Sequence, residues 1–205
     1  MSLLPALKRL QGLVTPSFTT RDAAALLEIA PAHASQTLRR LSLQGQLLHL
    51  GRGRWALAGA IDRYALPEAL TAPRPAYVSL YTALYHYSFV EQIPDVIYAV
   101  TLAPTRRAVT PAGVVSLHQV APTFFTGFEQ AAPSYKIALP EKALVDTLYL
   151  RPARSKLFRA LPELELPRRF SAARARQFTK LIEHRARRTL VEHELELILA
   201  RARRD

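Results

Sequence analysis

Residues 43–57, LQGQLLHLGRGRWAL, constrain the fold more than any other stretch of this chain. Two short apolar runs flank Gly51-Arg52-Gly53, the pattern of a β-hairpin with a glycine-bearing tip. What precedes the hairpin sets its context. SLLPALKRLQG puts Leu3, Leu7 and Leu10 at helical spacing and stops near Gly12. In TRDAAALLEI, Thr19 or Thr20 can cap a second helix, with Asp22 in the first turn, where the helix dipole favours an acid. APAH breaks that helix, Pro31 opens a third, PAHASQTLRRLSLQG, and Gly45 ends it. Helix, helix, turn, helix and hairpin inside the first 58 residues is the order of a winged helix-turn-helix.

The third helix divides by its period. Ala34, Thr37, Leu38 and Leu41 share one face and read as core; His33, Gln36, Arg39 and Arg40 point roughly the other way, with Ser35 on the flank. Gln pairs bidentately with adenine and Arg with guanine, although Arg binds phosphate equally well and then carries affinity without sequence information. Gly51 and Gly53 let a hairpin tip approach a duplex closely, which gives Arg52 and Arg54 phosphates or the minor groove to meet, while Trp55 packs the hairpin onto the helices. Thr20, at the start of the second helix, joins this expected DNA-facing set. Arg39 and Arg40 alone would suit a solvated surface; the order of the elements is what points to DNA.

Charge supports a polyanion partner. The net charge is +12, and it is unevenly spread: +5 over residues 1–75, −1 over 76–150 and +8 over 151–205. Codon bias accounts for the scarcity of Lys among the basic residues, but not for a middle without basic excess. In the tail, Arg168, Arg169, Arg174 and Arg176 gather at the approach to and start of a helix, SAARARQFTKLIEHRA, and are expected to add phosphate contacts. The competing account is neutralisation by Glu183, Glu192, Glu194 and Glu196, which cluster later.

The expected fold class is α+β, with a winged helix-turn-helix over residues 1–72 and a mixed α+β domain over residues 76–205 that ends in basic helices. The stretch 59–76 carries three prolines and reads as the connection. YVSLYTALYHYSFV reads as a helix capped by Ser79. DVIYAVTLAP, RAVTPAGVVSLHQV, APTFFTGFEQ and YKIALP read as strands, and PEKALVDTLYL as a helix begun by Pro140. The aromatic residues of this middle part, Tyr81 and Phe124 among them, read as core rather than as base-stacking platforms.

Two stretches resemble the AbiEi family. TRDAAALLEIAPAHASQTLRRLSLQGQLLHLGRGRWAL is similar to its N-terminal winged helix. The S-L-x-x-A-L helix at Ser79, the strand after Ile93-Pro94, the T-P-x-G turn at Thr110 and the closing A-x-P-E-K-A-L-x-D phrase, residues 138–146, are similar to its C-terminal region. The resemblance covers roughly residues 1–150. It implies an antitoxin that binds double-stranded DNA at its own promoter, represses its operon, and counteracts a nucleotidyltransferase-type toxin encoded beside it. An alternative is an interaction protein that holds the toxin directly through the C-terminal domain, with DNA binding secondary.

Enzymatic readings find little. His193-Glu194 starts like a zinc-protease H-E-x-x-H, but Leu197 stands where the second His is needed. There is no cysteine, no phosphate-binding glycine loop and no nucleophile elbow. A metal-dependent nuclease would need Asp95, Glu129 and Lys136 as a P-D…E-x-K set, and the Glu–Lys spacing is wrong. No catalytic residue, cofactor or metal is therefore expected. With no apolar run near the ~18 residues that span a bilayer and an N-terminal apolar stretch too short for a signal peptide, a cytoplasmic protein without membrane contact is expected.

Overall fold

The computed structural model describes residues 3–15, 17–151, 164–167 and 169–202. It begins with α1 (Leu3–Gln11), β1 (Ser17–Thr19), α2 (Thr20–Leu27), α3 (Pro31–Leu43) and the hairpin β2 (Leu47–Gly51) and β3 (Arg54–Leu57). Thr19 rather than Thr20 caps α2, through a reciprocal pair. Its side chain accepts from the Asp22 amide at 3.1 Å, and the Asp22 carboxylate accepts from the Thr19 amide at 2.8 Å. Pro31 sits in the first turn of α3, where its missing N–H costs nothing. β1 is too short to show a period in sequence. It exists because it pairs with β3, setting Phe18 opposite Trp55 and giving an antiparallel sheet of order β1-β3-β2. Leu10, Phe18, Ala23, Leu38, Leu41, Leu47 and Trp55 form the small core beneath it.

The following segment is more ordered than its prolines predict. A 3-10 turn, Arg63–Ala65, leads into α4 (Leu66–Thr71), whose Leu66, Pro67 and Leu70 are buried. Next come β4 (Ala76–Val78), α5 (Leu80–His86), β5 (Val96–Thr101), β6 (Arg106–Thr110), β7 (Gly113–Gln119), β8 (Phe128–Ala132), β9 (Tyr135–Ala138) and α6 (Pro140–Leu150). The helices α7 (Ala172–Thr179) and α8 (Arg185–Arg201) follow. The strands form one six-stranded sheet, β6-β7-β5-β4-β9-β8, parallel at β5/β7 and β4/β9 and antiparallel elsewhere. Leu66 of α4 meets Ile97 over Gly113 on one face. Tyr77 and Tyr98 point to the other face, towards α6 and α5. The tail closes over that second face: a side chain at Gly127 would collide with Phe178 of α7 at 2.6 Å.

Two expectations about the middle change. Tyr77 belongs to a strand, since Ala76-Tyr77-Val78 pairs with both β5 and β9, and the helix starts only at Leu80. Ser79 makes no side-chain cap hydrogen bond; its hydroxyl donates instead to Asp146 of α6 at 2.7 Å. Asp146 also accepts from the Tyr77 hydroxyl at 3.1 Å and is ion-paired to Lys142 one turn earlier. Lys142 Nζ lies 3.7 Å from the centroid of the Phe124 ring. Both charged side chains are fully buried. Burial pushes the Lys142 ammonium down and the Asp146 carboxyl up, and their mutual attraction opposes both shifts. Such a pair tolerates burial only because each remaining polar atom finds a partner.

The hairpin joins the two halves. Leu50 and Ala56 pack with Leu66, Leu70 and Val115 in the large apolar cluster, whereas Leu47 and Trp55 pack in the small one.

Candidate nucleic-acid interface

α3 turns Ala34, Thr37, Leu38 and Leu41 inward, as its period predicts. That leaves His33, Ser35, Gln36, Arg39 and Arg40 exposed along its outer side. A groove of about 440 Å³ runs between α3, the start of α2 and the hairpin, lined by Thr20, Ser35, Arg39, Ser42, His49 and Trp55. Gln36 and Arg40 are exposed at neighbouring positions of the helix, and Arg52 stands exposed at the hairpin tip. Arg39, Arg40 and Arg52 make no ion pair or side-chain hydrogen bond among the described residues, so their guanidiniums are available to a partner. The described residues contain no group of three or more His, Cys, Asp or Glu side chains able to hold a metal ion.

The hairpin tip is held to α2 by Thr20. Its hydroxyl donates to the Gly53 carbonyl at 3.2 Å and accepts from Trp55 Nε1 at 2.9 Å, and its amide also donates to the Gly53 carbonyl, at 2.8 Å. The tip turns through positive φ at Gly51 (120°), Arg52 (32°) and Gly53 (69°), and a side chain at Gly53 would press on the Thr20 hydroxyl at 3.3 Å. Thr20 thus lines the groove and also acts as a clamp between α2 and the hairpin.

Arg54 departs from expectation. Gly53 turns the strand so that Arg54, half-buried, faces away from the groove, and its guanidinium donates to the Ala72 carbonyl. It lines a separate cleft of about 420 Å³ with Asp22, Glu68 and Lys136, the last two ion-paired at 2.5 Å. The tail arginines divide similarly. Arg174 lies 3.5 Å from the buried Glu141 carboxylate, and Arg176 forms a two-point pair with Glu196 at 2.6 and 2.9 Å. Glu183 accepts from Thr123, Glu192 from Thr179, and Glu194 from Arg151. Neutralisation within the tail therefore fits Arg176, through Glu196, whereas Arg174 is met by Glu141 of α6, outside the tail. Arg169 is exposed, and Arg168 lies outside the described residues.

Compared with known proteins, the chain matches no family model and no curated protein.

His49, with Ser42 and Leu43, is a groove residue that sequence reasoning missed. It sits opposite Trp55 across the hairpin, ring centroids 4.5 Å apart, exposed on the side that faces Arg39. Its position on alternate strand sites with Leu47 and Gly51 was the available signal, obscured by the irregularity between His49 and Gly51. Elsewhere, Ser116 and His118 share one strand face with Oγ and Nε2 3.0 Å apart, both buried. Burial lowers the His118 ring to about 4.

Proposed function

We propose that this protein is a DNA-binding antitoxin of the AbiEi type, which represses its own promoter and counteracts a nucleotidyltransferase-type toxin. In this reading residues 3–57 are a winged helix-turn-helix, α3 enters the major groove and the β2–β3 tip rests on the flanking backbone. The carrying observation is the groove between α3 and the hairpin. Ser35, Arg39 and His49 line it, and Gln36 and Arg40 on the same helix and Arg52 at the hairpin tip are exposed. Side chains able to pair with base edges stand on the helix, and the cation of the hairpin stands where a phosphate contact is needed. Further support comes from the phrases behind the family resemblance. Ser79 of S-L-x-x-A-L and Lys142 and Asp146 of P-E-K-A-L-x-D meet in one buried network, so they act together as a structural signature of the second half.

The test uses the full chain and a duplex from upstream of its own reading frame. Specific binding at physiological salt is expected to be at least about a thousandfold tighter than binding to a scrambled duplex of equal length. A reporter driven by that promoter is expected to fall when the protein is supplied, and co-expression is expected to rescue cells from the product of the adjacent frame. Equal affinity for native and scrambled duplexes would remove the repressor reading.

A further inference from the structure

One row of α3 side chains is exposed along its whole length. Ala32, Gln36, Arg39 and Leu43, at i, i+4, i+7 and i+11, lie opposite the buried face and are all exposed. The row is apolar at both ends and polar between. Leu43 is 82% exposed and lines the groove beside Arg39 and Ser42. Its apolar surface gains nothing from folding and is covered only when a partner lies against it. With Gln36 and Arg39 in the same row, that partner surface has to alternate polar edges with methyl groups. The major-groove edge of a duplex does so: adenine and guanine offer paired sites to an amide and a guanidinium, and thymine carries a C5 methyl.

We propose that Leu43, with Ala32 at the other end of the row, reads the C5 methyl of thymine. The recognised site then carries thymines flanking the bases addressed by Gln36 and Arg39. The inference rests on the DNA-binding reading above and names the sequence class of its ligand. Helix rise sets the spacing. Leu43 lies ~6 Å beyond Arg39, and Ala32 ~6 Å before Gln36. Each interval is roughly two base-pair steps of ~3.4 Å. Ser35 and Ser42 on the hairpin side of the row satisfy polar edges of either kind and do not set the preference.

The experiment selects a preferred duplex from a random pool with the full chain. It then resynthesises that duplex with deoxyuridine replacing each thymidine in turn, which removes only the methyl group. At the position facing Leu43, the substitution is expected to weaken binding about three- to fivefold, the effect of one methyl group leaving an apolar contact. Leu43→Ala is expected to bind the thymidine and deoxyuridine duplexes alike there, and Leu43→Met to keep the difference. Because Leu43 is exposed, circular dichroism of both variants is expected to match the wild type. Equal wild-type affinity for thymidine and deoxyuridine at every position, or a full thymidine preference retained by Leu43→Ala, would overturn the inference while DNA binding stood. A pool in which no duplex is enriched would remove the DNA-binding reading itself, and the inference with it.

Discussion

The two ends of this protein are both rich in arginine, and they spend it differently. All five ion pairs among the described residues lie beyond residue 67: Lys136–Glu68, Lys142–Asp146, Arg151–Glu194, Arg174–Glu141 and Arg176–Glu196. The described residues among the first 57 have none, and there Arg39, Arg40 and Arg52 are exposed, Arg39 in the groove. A count of basic residues treats the two ends as alike. Pairing separates Arg151, Arg174 and Arg176 from Arg39, Arg40 and Arg52: charge already met by a carboxylate projects less field than unpaired charge, which is free to attract a polyanion.

The sharpest way to break this contrast is at the buried pair. Asp146→Ala strands the Lys142 ammonium among Phe124 and Tyr77, and is expected to cost about 3–5 kcal/mol in urea denaturation. Adding Lys142→Met is expected to return part of that loss; no recovery would mean that the charge was not what mattered. A second effect concerns pH. The His118 ring is held near 4 in the folded state against 6.5 for an ordinary histidine, by burial. The unfolded chain therefore binds the proton first on acidification. Stability is full above about 6.5 and declines towards pH 4, by roughly 3 kcal/mol at most. His118→Gln is expected to flatten that part of the pH–stability curve, and an unchanged slope would assign the acid sensitivity elsewhere.

Smaller effects sharpen the contrast at the N-terminal end. Gln36→Ala and Arg39→Ala are each expected to lose about 1–3 kcal/mol on a selected duplex and to relax base preference. Arg52→Ala is expected to weaken all duplexes evenly and to reduce the slope of log K against log salt by about 0.9. Retained base preference in the Gln36 and Arg39 variants would remove α3 from the role of reader. The smallest effect belongs to the tail: the combined Arg174→Gln and Arg176→Gln variant is expected to keep the wild-type salt slope. A flatter slope would show that these side chains leave Glu141 and Glu196 to meet phosphate.

The parts legible in the sequence are those with local causes. α2, α3 and the hairpin announce themselves through the Thr19–Asp22 cap, Pro31, and the glycines at 51 and 53. The four residues on the buried face of α3 follow from period alone. Elements defined by distant partners were not legible. β1 depends on β3, β4 on β5 and β9, and α4 on a sheet that covers Leu66 and Leu70. The same limit governed the site. Residues on α3 were placed by periodicity, whereas the internal contacts of Thr20 and Arg54 were not legible because their partners, Gly53 with Trp55 and Ala72, lie 33, 35 and 18 positions away. Ser79 looked like a cap because sequence shows the residue beside the helix and not the aspartate 67 positions later.

Leu50 and Ala56 give the hairpin a second allegiance. A reading head that ended at its own core could be exchanged between proteins like a cassette, with only the linker to match. Here the strands that carry His49 and Trp55 towards α3 also carry Leu50 and Ala56 into the body of the molecule. A graft of the first 57 residues onto another body would uncover those two side chains and leave the tip seeking a new seat. On the proposed DNA-binding reading, changes in base preference are therefore cheapest on the outer row of α3, where no side chain belongs to either core. They are most constrained on the hairpin, where each strand must suit both.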